Sequence, residues 1–287
     1  MRPLVYLPVL IATLLAACTD LPEESTDDSP VVTTNRITLN RITLNRITLN
    51  RITLNRITLN RLSVSRLTNR RLKLNMSTAA GLLSTEDGRE VFSLVVSCAM
   101  PADITLVATV AGTTFEFPGE LGLAREWTDV PLGASGQGWV SACMLARVNA
   151  HEVALPISIR GPHVALTVDR DERDAFPIEE GAFYGNVFVP LDQPMQLFAC
   201  RGEGQASGEF GGLVDRDCTE PDPANPGLTQ CGLTFAGDCG DFAAKHTCED
   251  FSERGTFYRR CHTQPLKLFP GRGDRVFSEV ITSFVTP

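Results

Sequence analysis

The chain has nine cysteines but no C-x-x-C pair, and its four histidines, His151, His163, His246 and His262, complete no zinc-ligand spacing. That absence removes the compact metal module and the dithiol redox motif as readings of the cysteines. His151-Glu152 has no second histidine four residues on, so a helical zinc-protease motif is missing as well. The glycines around Gly202-Glu203-Gly204 lack the third position of a dinucleotide fingerprint. No metal and no cofactor is therefore expected. Acidic residues are absent from Asn35 to Asn75, a block holding nine Arg and one Lys. With the net charge at −8, this +10 block leaves −18 on the remainder. An acidic remainder excludes bulk affinity for nucleic acid, whereas the basic block suits solubility or an anionic surface.

Against those absences stands a strongly marked beginning. "MRPLVYLPVLIATLLAAC" carries one positive charge at Arg2, an apolar run from Leu4 to Leu15, and small residues before Cys18. The run is too short for a spanning helix and reads as a secretory signal over 1–17. Leu15-Ala16-Ala17-Cys18 resembles the lipobox of bacterial lipoproteins. The resemblance implies cleavage before Cys18 and acylation of that residue, which anchors the chain in a lipid bilayer. Thr19 in place of Asp after the cysteine implies, by similarity to the enterobacterial sorting rule, the outer membrane.

Spending Cys18 on lipid leaves Cys98, Cys143, Cys200, Cys218, Cys231, Cys239, Cys248 and Cys261. Their number is even and the implied compartment oxidising, so four structural disulfides are expected. Cys98 and Cys143 stand apart in an apolar stretch and are expected to pair. The other six lie close together, with their pairing open.

Residues 18–34 are polar and acidic, with Pro22 and Pro30, and read as a lipidated tether. Over 35–74 come five copies of Asn-Arg-Ile-Thr-Leu, then three degenerate units. A five-residue period keeps Ile and Leu on one side of neither a helix nor a strand. It resembles the pentapeptide-repeat right-handed β-helix, which places Ile37 and Leu39 inward. That family prefers a small residue where this chain has Ile. The expectation is a short β-solenoid or an extended stalk.

A head follows, read as 75–195 and a Cys-rich subdomain with a terminal strand over 196–287. "STEDGREVFSLVVSCAM" predicts a helix capped by Ser84 or Thr85 and stopped by Pro101. "ITLVATVAGTTFEFPG" predicts a hairpin turning at Ala111-Gly112. "GQGWVSACMLARVNAHEV" predicts a second helix. "VALPISIRGP", "GAFYGNVFVP", "MQLFACRG" and "RVFSEVITSFV" read as strands. Two helices mixed with antiparallel strands and stapled by disulfides give an α+β head.

The lipobox, the repeat, "VVSCAMPAD", "FPGELGLAREW", "WVSACMLARVNAHEV" and "EGAFYGNVF" together resemble uncharacterised myxobacterial-type surface lipoproteins. Those proteins tend to have Gly where this repeat has Arg36 and Arg41. The resemblance implies an envelope location and supplies no activity.

Two patterns invite a catalytic or metal-binding reading. Gln137 to Cys143 resembles the papain-type segment, with Cys143 as nucleophile at a helix start and His246 or His262 as base. No asparagine follows Asn225 to orient that base, and a free Cys143 would leave the cysteines odd in number. Asp169, Asp171 and Glu180 fall on calcium-loop places, but Arg173 and Asp174 break the pattern, so "DRDERD" reads as a solvated turn. Arg272-Gly273-Asp274 spells the integrin tripeptide but sits among Gly-rich turn residues, and Phe183, Tyr184, Phe188 and Trp139 read as core rather than as a carbohydrate platform. The sequence thus favours a non-enzymatic envelope lipoprotein with a binding, adhesion or structural role. Its partners would be the bilayer and an envelope polysaccharide or protein, and the alternative is a cysteine-type hydrolase using Cys143.

Overall fold

Thr85 is extended and its hydroxyl accepts the amide hydrogen of Gly88 at 3.1 Å, which starts helix α1, Glu86–Ala99. Glu86 and Asp87 complement the positive end of its dipole. Met100, extended before Pro101, ends it. Hairpin strands β1, Thr105–Val110, and β2, Thr113–Pro118, follow in the expected place. Both turn residues have positive φ, 49° at Ala111 and 84° at Gly112, the twist that a two-residue hairpin loop needs. Gly112 adopts it freely, whereas an alanine there is strained.

The computed structural model of the chain describes residues 82–150, 156–190, 192–206, 216, 218–240, 247–249, 251–252, 256–264 and 274–287. Cys18, the tether and the five-residue repeats lie outside the described residues, as does the expected β-solenoid.

Helix α2, Ala134–Ala146, is apolar on nearly every side, and ten of its residues are buried. Such a helix needs cover all round, and it finds α1 on one side and a five-stranded sheet on the other. The sheet comprises β3, Ser158–Arg160; β4, Ile178–Asn186; β5, Gln196–Arg201; β6, Thr234–Asp238; and β10, Val280–Val285. Its order is β3-β10-β4-β5-β6, antiparallel except where β5 meets β6. Strands on both sides of position 195 are thus hydrogen-bonded in one sheet, so the expected boundary there runs between β4 and β5. A second sheet of β7, Cys248–Glu249, β8, Arg260–His262, and β9, Val276–Phe277, is small. The expected terminal strand is therefore two, β9 and β10, in separate sheets.

Alternation along the central strands divides the interior. Phe183, Leu197, Ala199, Ile281 and Val285 join α1 and α2 in the larger core. Ala182, Tyr184, Phe198, Cys200 and Val280 turn to a smaller core around Cys239, Cys248, Tyr258 and Cys261. This is the two-residue period of a sheet covered on both faces. Tyr184 stacks on Phe198 with ring centroids 5.6 Å apart, and its hydroxyl donates to the carbonyl of His262 at 2.7 Å. At Gly185, φ is 139° and an added Cβ would lie 1.9 Å from the Gln196 carbonyl oxygen, so β4 and β5 approach there as only glycine allows.

Two short helices were not expected. "DRDERD" is not a solvated turn but helix α3, Arg170–Ala175, capped by Asp169, whose carboxylate accepts from the Glu172 amide at 2.8 Å. Glu172 is buried and accepts from the Ser158 hydroxyl at 2.7 Å. Helix α4, Glu203–Ala206, follows β5. The described residues thus form an α+β fold.

Replacing Ala111 by Asn, which tolerates positive φ, should stabilise the head by about 0.5–1 kcal/mol. Equilibrium denaturant unfolding of Ala111→Asn checks this, with the unfolding slope unchanged.

Candidate functional site

Each of the eight head cysteines has a partner. The bonds are Cys98–Cys143, Cys200–Cys239, Cys218–Cys231 and Cys248–Cys261. The first is the pair expected from the sequence. It ties α1 to α2 and closes a separation of 45 residues, a constraint worth about 4 kcal/mol in the chain-entropy description.

Cys143 is fully buried, bonded to Cys98, and lies in the last turn of α2. The papain-like arrangement puts the nucleophile at a helix start, where the dipole favours a thiolate. Here the start is Ala134, and Gln137 donates its side-chain amide to the Leu132 carbonyl at 3.0 Å. The catalytic reading therefore lacks its thiol in this state. The calcium reading also dissolves: Asp169 caps α3, while Glu180 is in β4. Phe183, Tyr184, Phe188 and Trp139 are all buried, as their core reading requires. His151 and His246 lie outside the described residues.

The most ionisable part of the interior sits where β4 bulges. Ser283 of β10 faces Gly181 and Phe284 faces Glu179, so Glu180 is the extra residue. Its carboxylate accepts from the Ser283 hydroxyl at 2.5 Å and meets the Arg216 guanidinium at 2.7 Å, an ion contact whose angles are poor for a hydrogen bond. Both side chains are at most 1% exposed. Arg216 also donates to the Ala146 carbonyl at the end of α2. Removing either member would strand the other charge in the core, which is far more damaging than losing a surface pair. A second buried ion pair, Arg147 to Glu120 at 3.0 Å, ties the end of α2 to the segment after β2.

Glu179 is placed differently. One carboxylate oxygen has no hydrogen-bond partner among the described residues. Burial raises its pKa to about 7, and nearby Glu203 adds to the rise, while the Tyr258 hydrogen bond and Arg160 oppose it. Arg160 donates to Ser158 at 3.0 Å and to the Phe176 carbonyl at 2.6 Å, with its guanidinium 3.7 Å from the Phe284 ring centroid.

A half-open cleft of about 320 Å³ borders this region. Gly161 after β3, His163, Val164, Arg173 of α3, Thr256 and Phe257 help to line it. Val164 is 83% exposed. His163 lies edge-on to Trp139, with ring centroids 5.1 Å apart. Its Nδ1 accepts from the Ala165 amide at 3.1 Å, which leaves the proton of the neutral ring on Nε2. Burial lowers the His163 pKa, and the Glu126 charge opposes that shift. Among the described lining residues there is no carboxylate, serine or cysteine. The lining can hold an apolar group with an acceptor near Arg173 or His163.

Cys200, Cys248 and Cys261 form the one cluster of potential metal ligands among the described residues, with their sulfurs within 4.8 Å of one another. All three are disulfide sulfurs here rather than thiolates, so this state offers a metal nothing to bind. Among the described residues, no helix is long and apolar enough to cross a membrane. No protein-family model, no curated protein and no solved structure matches the chain.

Glu179 gives a pH signature. The unfolded chain loses this proton near 4.5 and the folded chain keeps it to about 7. Between those values the folded state holds the extra proton, so stability falls as pH rises through the window, by about 3 kcal/mol. Glu179→Gln should flatten that slope. Denaturant unfolding of both proteins at about pH 5 and about pH 8 checks it.

Proposed function

We propose that the chain is a lipid-anchored protein of the bacterial outer membrane, of the kind its sequence resembles, whose α+β head acts by binding rather than by catalysis. The observation that carries this reading is the closure of all eight head cysteines into disulfides, which leaves Cys18 alone for acylation. A disulfide set of this density belongs to an oxidising compartment. The cleft beside His163 and Arg173 supports binding, because it joins an apolar wall to a cation and an imidazole. An envelope polysaccharide or protein is the partner class. The basic repeats, beginning at Arg36, would stand as an extended stalk or short β-solenoid between anchor and head.

The anchor is tested by expressing the full chain and Cys18→Ser in a bacterium fed an alkyne-labelled palmitate. The full chain should take up label and partition into a detergent phase, and the variant should do neither. An unlabelled full chain, or a variant labelled as strongly, overturns the anchor.

A further inference from the structure

The smaller core brings together four cysteines that the sequence scatters, one each on β5, β7 and β8 and one just after β6. Backbone hydrogen bonds set them side by side. The Cys239 amide donates to the Arg201 carbonyl at 2.8 Å, and the Cys248 amide donates to the Cys239 carbonyl at 2.8 Å. Cys248 and Cys261 are directly opposed across β7 and β8. The consequence is a contact between two disulfides: Cys200 Sγ and Cys248 Sγ, which are not bonded to each other, are 3.4 Å apart. Cys261 Sγ is also within 4.8 Å of Cys200 Sγ. All four residues are at most 2% exposed.

A thiolate attacks a disulfide along a path that begins with sulfur in contact with sulfur, and the attacked pair releases the other sulfur as a thiolate. We propose that Cys200–Cys239 and Cys248–Cys261 form a coupled thiol–disulfide exchange site. Two electrons from a dithiol reductant open Cys248–Cys261, and the reductant leaves as its own disulfide. Cys248 thiolate then attacks Cys200, the Cys200–Cys239 bond breaks, and Cys239 departs as a thiolate that takes up a proton. A Cys200–Cys248 bond results, with Cys239 and Cys261 as thiols. Electrons entering at the small sheet thus reach the end of β6 in the central sheet. Packed Tyr184, Ala236 and Val280 keep the sulfurs together while the bonds change.

Cys261→Ser in the full chain leaves Cys248 with a free thiol and needs no reductant. The protein is quenched in acid, denatured, alkylated with a maleimide and mapped by mass spectrometry without reduction. Label should be shared between Cys248 and Cys239, with a Cys200–Cys248 linkage present. Cys143→Ser, as a control, should label Cys98 alone. Label confined to Cys248, with Cys200–Cys239 intact, overturns the proposal. If Cys261→Ser does not fold, as judged by circular dichroism, the wild-type chain treated with a limiting dithiol decides. A Cys200–Cys248 linkage among its partly reduced species supports exchange, and its absence while Cys248–Cys261 is open refutes it. These outcomes do not depend on acylation of Cys18, so they stand or fall apart from the anchor.

Discussion

Three of the four disulfides tie secondary-structure elements to one another, and the rest of the head is arranged around those joins. Cys98–Cys143 locks α1 to α2 inside the larger core. Cys200–Cys239 links β5 to the end of β6, the one parallel pairing in the sheet. Cys248–Cys261 crosses the small sheet, whose strands are only two or three residues long. Strands so short have little side-chain area with which to hold their register. The covalent links supply the order that a larger apolar face would supply elsewhere.

Around that framework the chain places charge where charge is costly. Glu179 and Glu180 are adjacent in a bulge of the central strand and have opposite fates. Glu180 is ion-paired with Arg216. Glu179 is left with burial as its dominant influence, and its pKa rises towards neutrality. The difference lies in what each carboxylate meets: Arg216 faces Glu180, whereas Glu179 has no cation close enough to outweigh its burial.

Local chemistry was legible in the sequence and long-range pairing was not. Thr85, the acids after it and Pro101 mark both ends of α1, and Ala111-Gly112 marks the hairpin turn. The Cys98–Cys143 bond could be read because both residues sit in apolar helical segments with no competing cysteine nearby. Six crowded cysteines carry no such clue, because loop length barely separates their fifteen pairings. Strand β6, "TFAGD", is too short and too glycine-rich to show a period, and β7 and β8 have none. Glu172 within "DRDERD" looked solvated because all six residues of that segment are charged, yet the Ser158 hydroxyl draws it inward. The bulge at Glu180 arises from register against β10, a hundred residues away in the chain, and no local pattern encodes it.

The described residues are thus stiffened by buried sulfur, with a small cleft at the edge of the central sheet. That stiffness depends on the closure of eight head cysteines in the order 98–143, 200–239, 218–231 and 248–261. Peptide mapping of the native, unreduced wild-type protein, alkylated on isolation, tests that most directly. These four linkages are expected, with no alkylated cysteine from Cys98 onward. Recovery of reduced, alkylated cysteines among the eight in freshly isolated protein would rule that closure out.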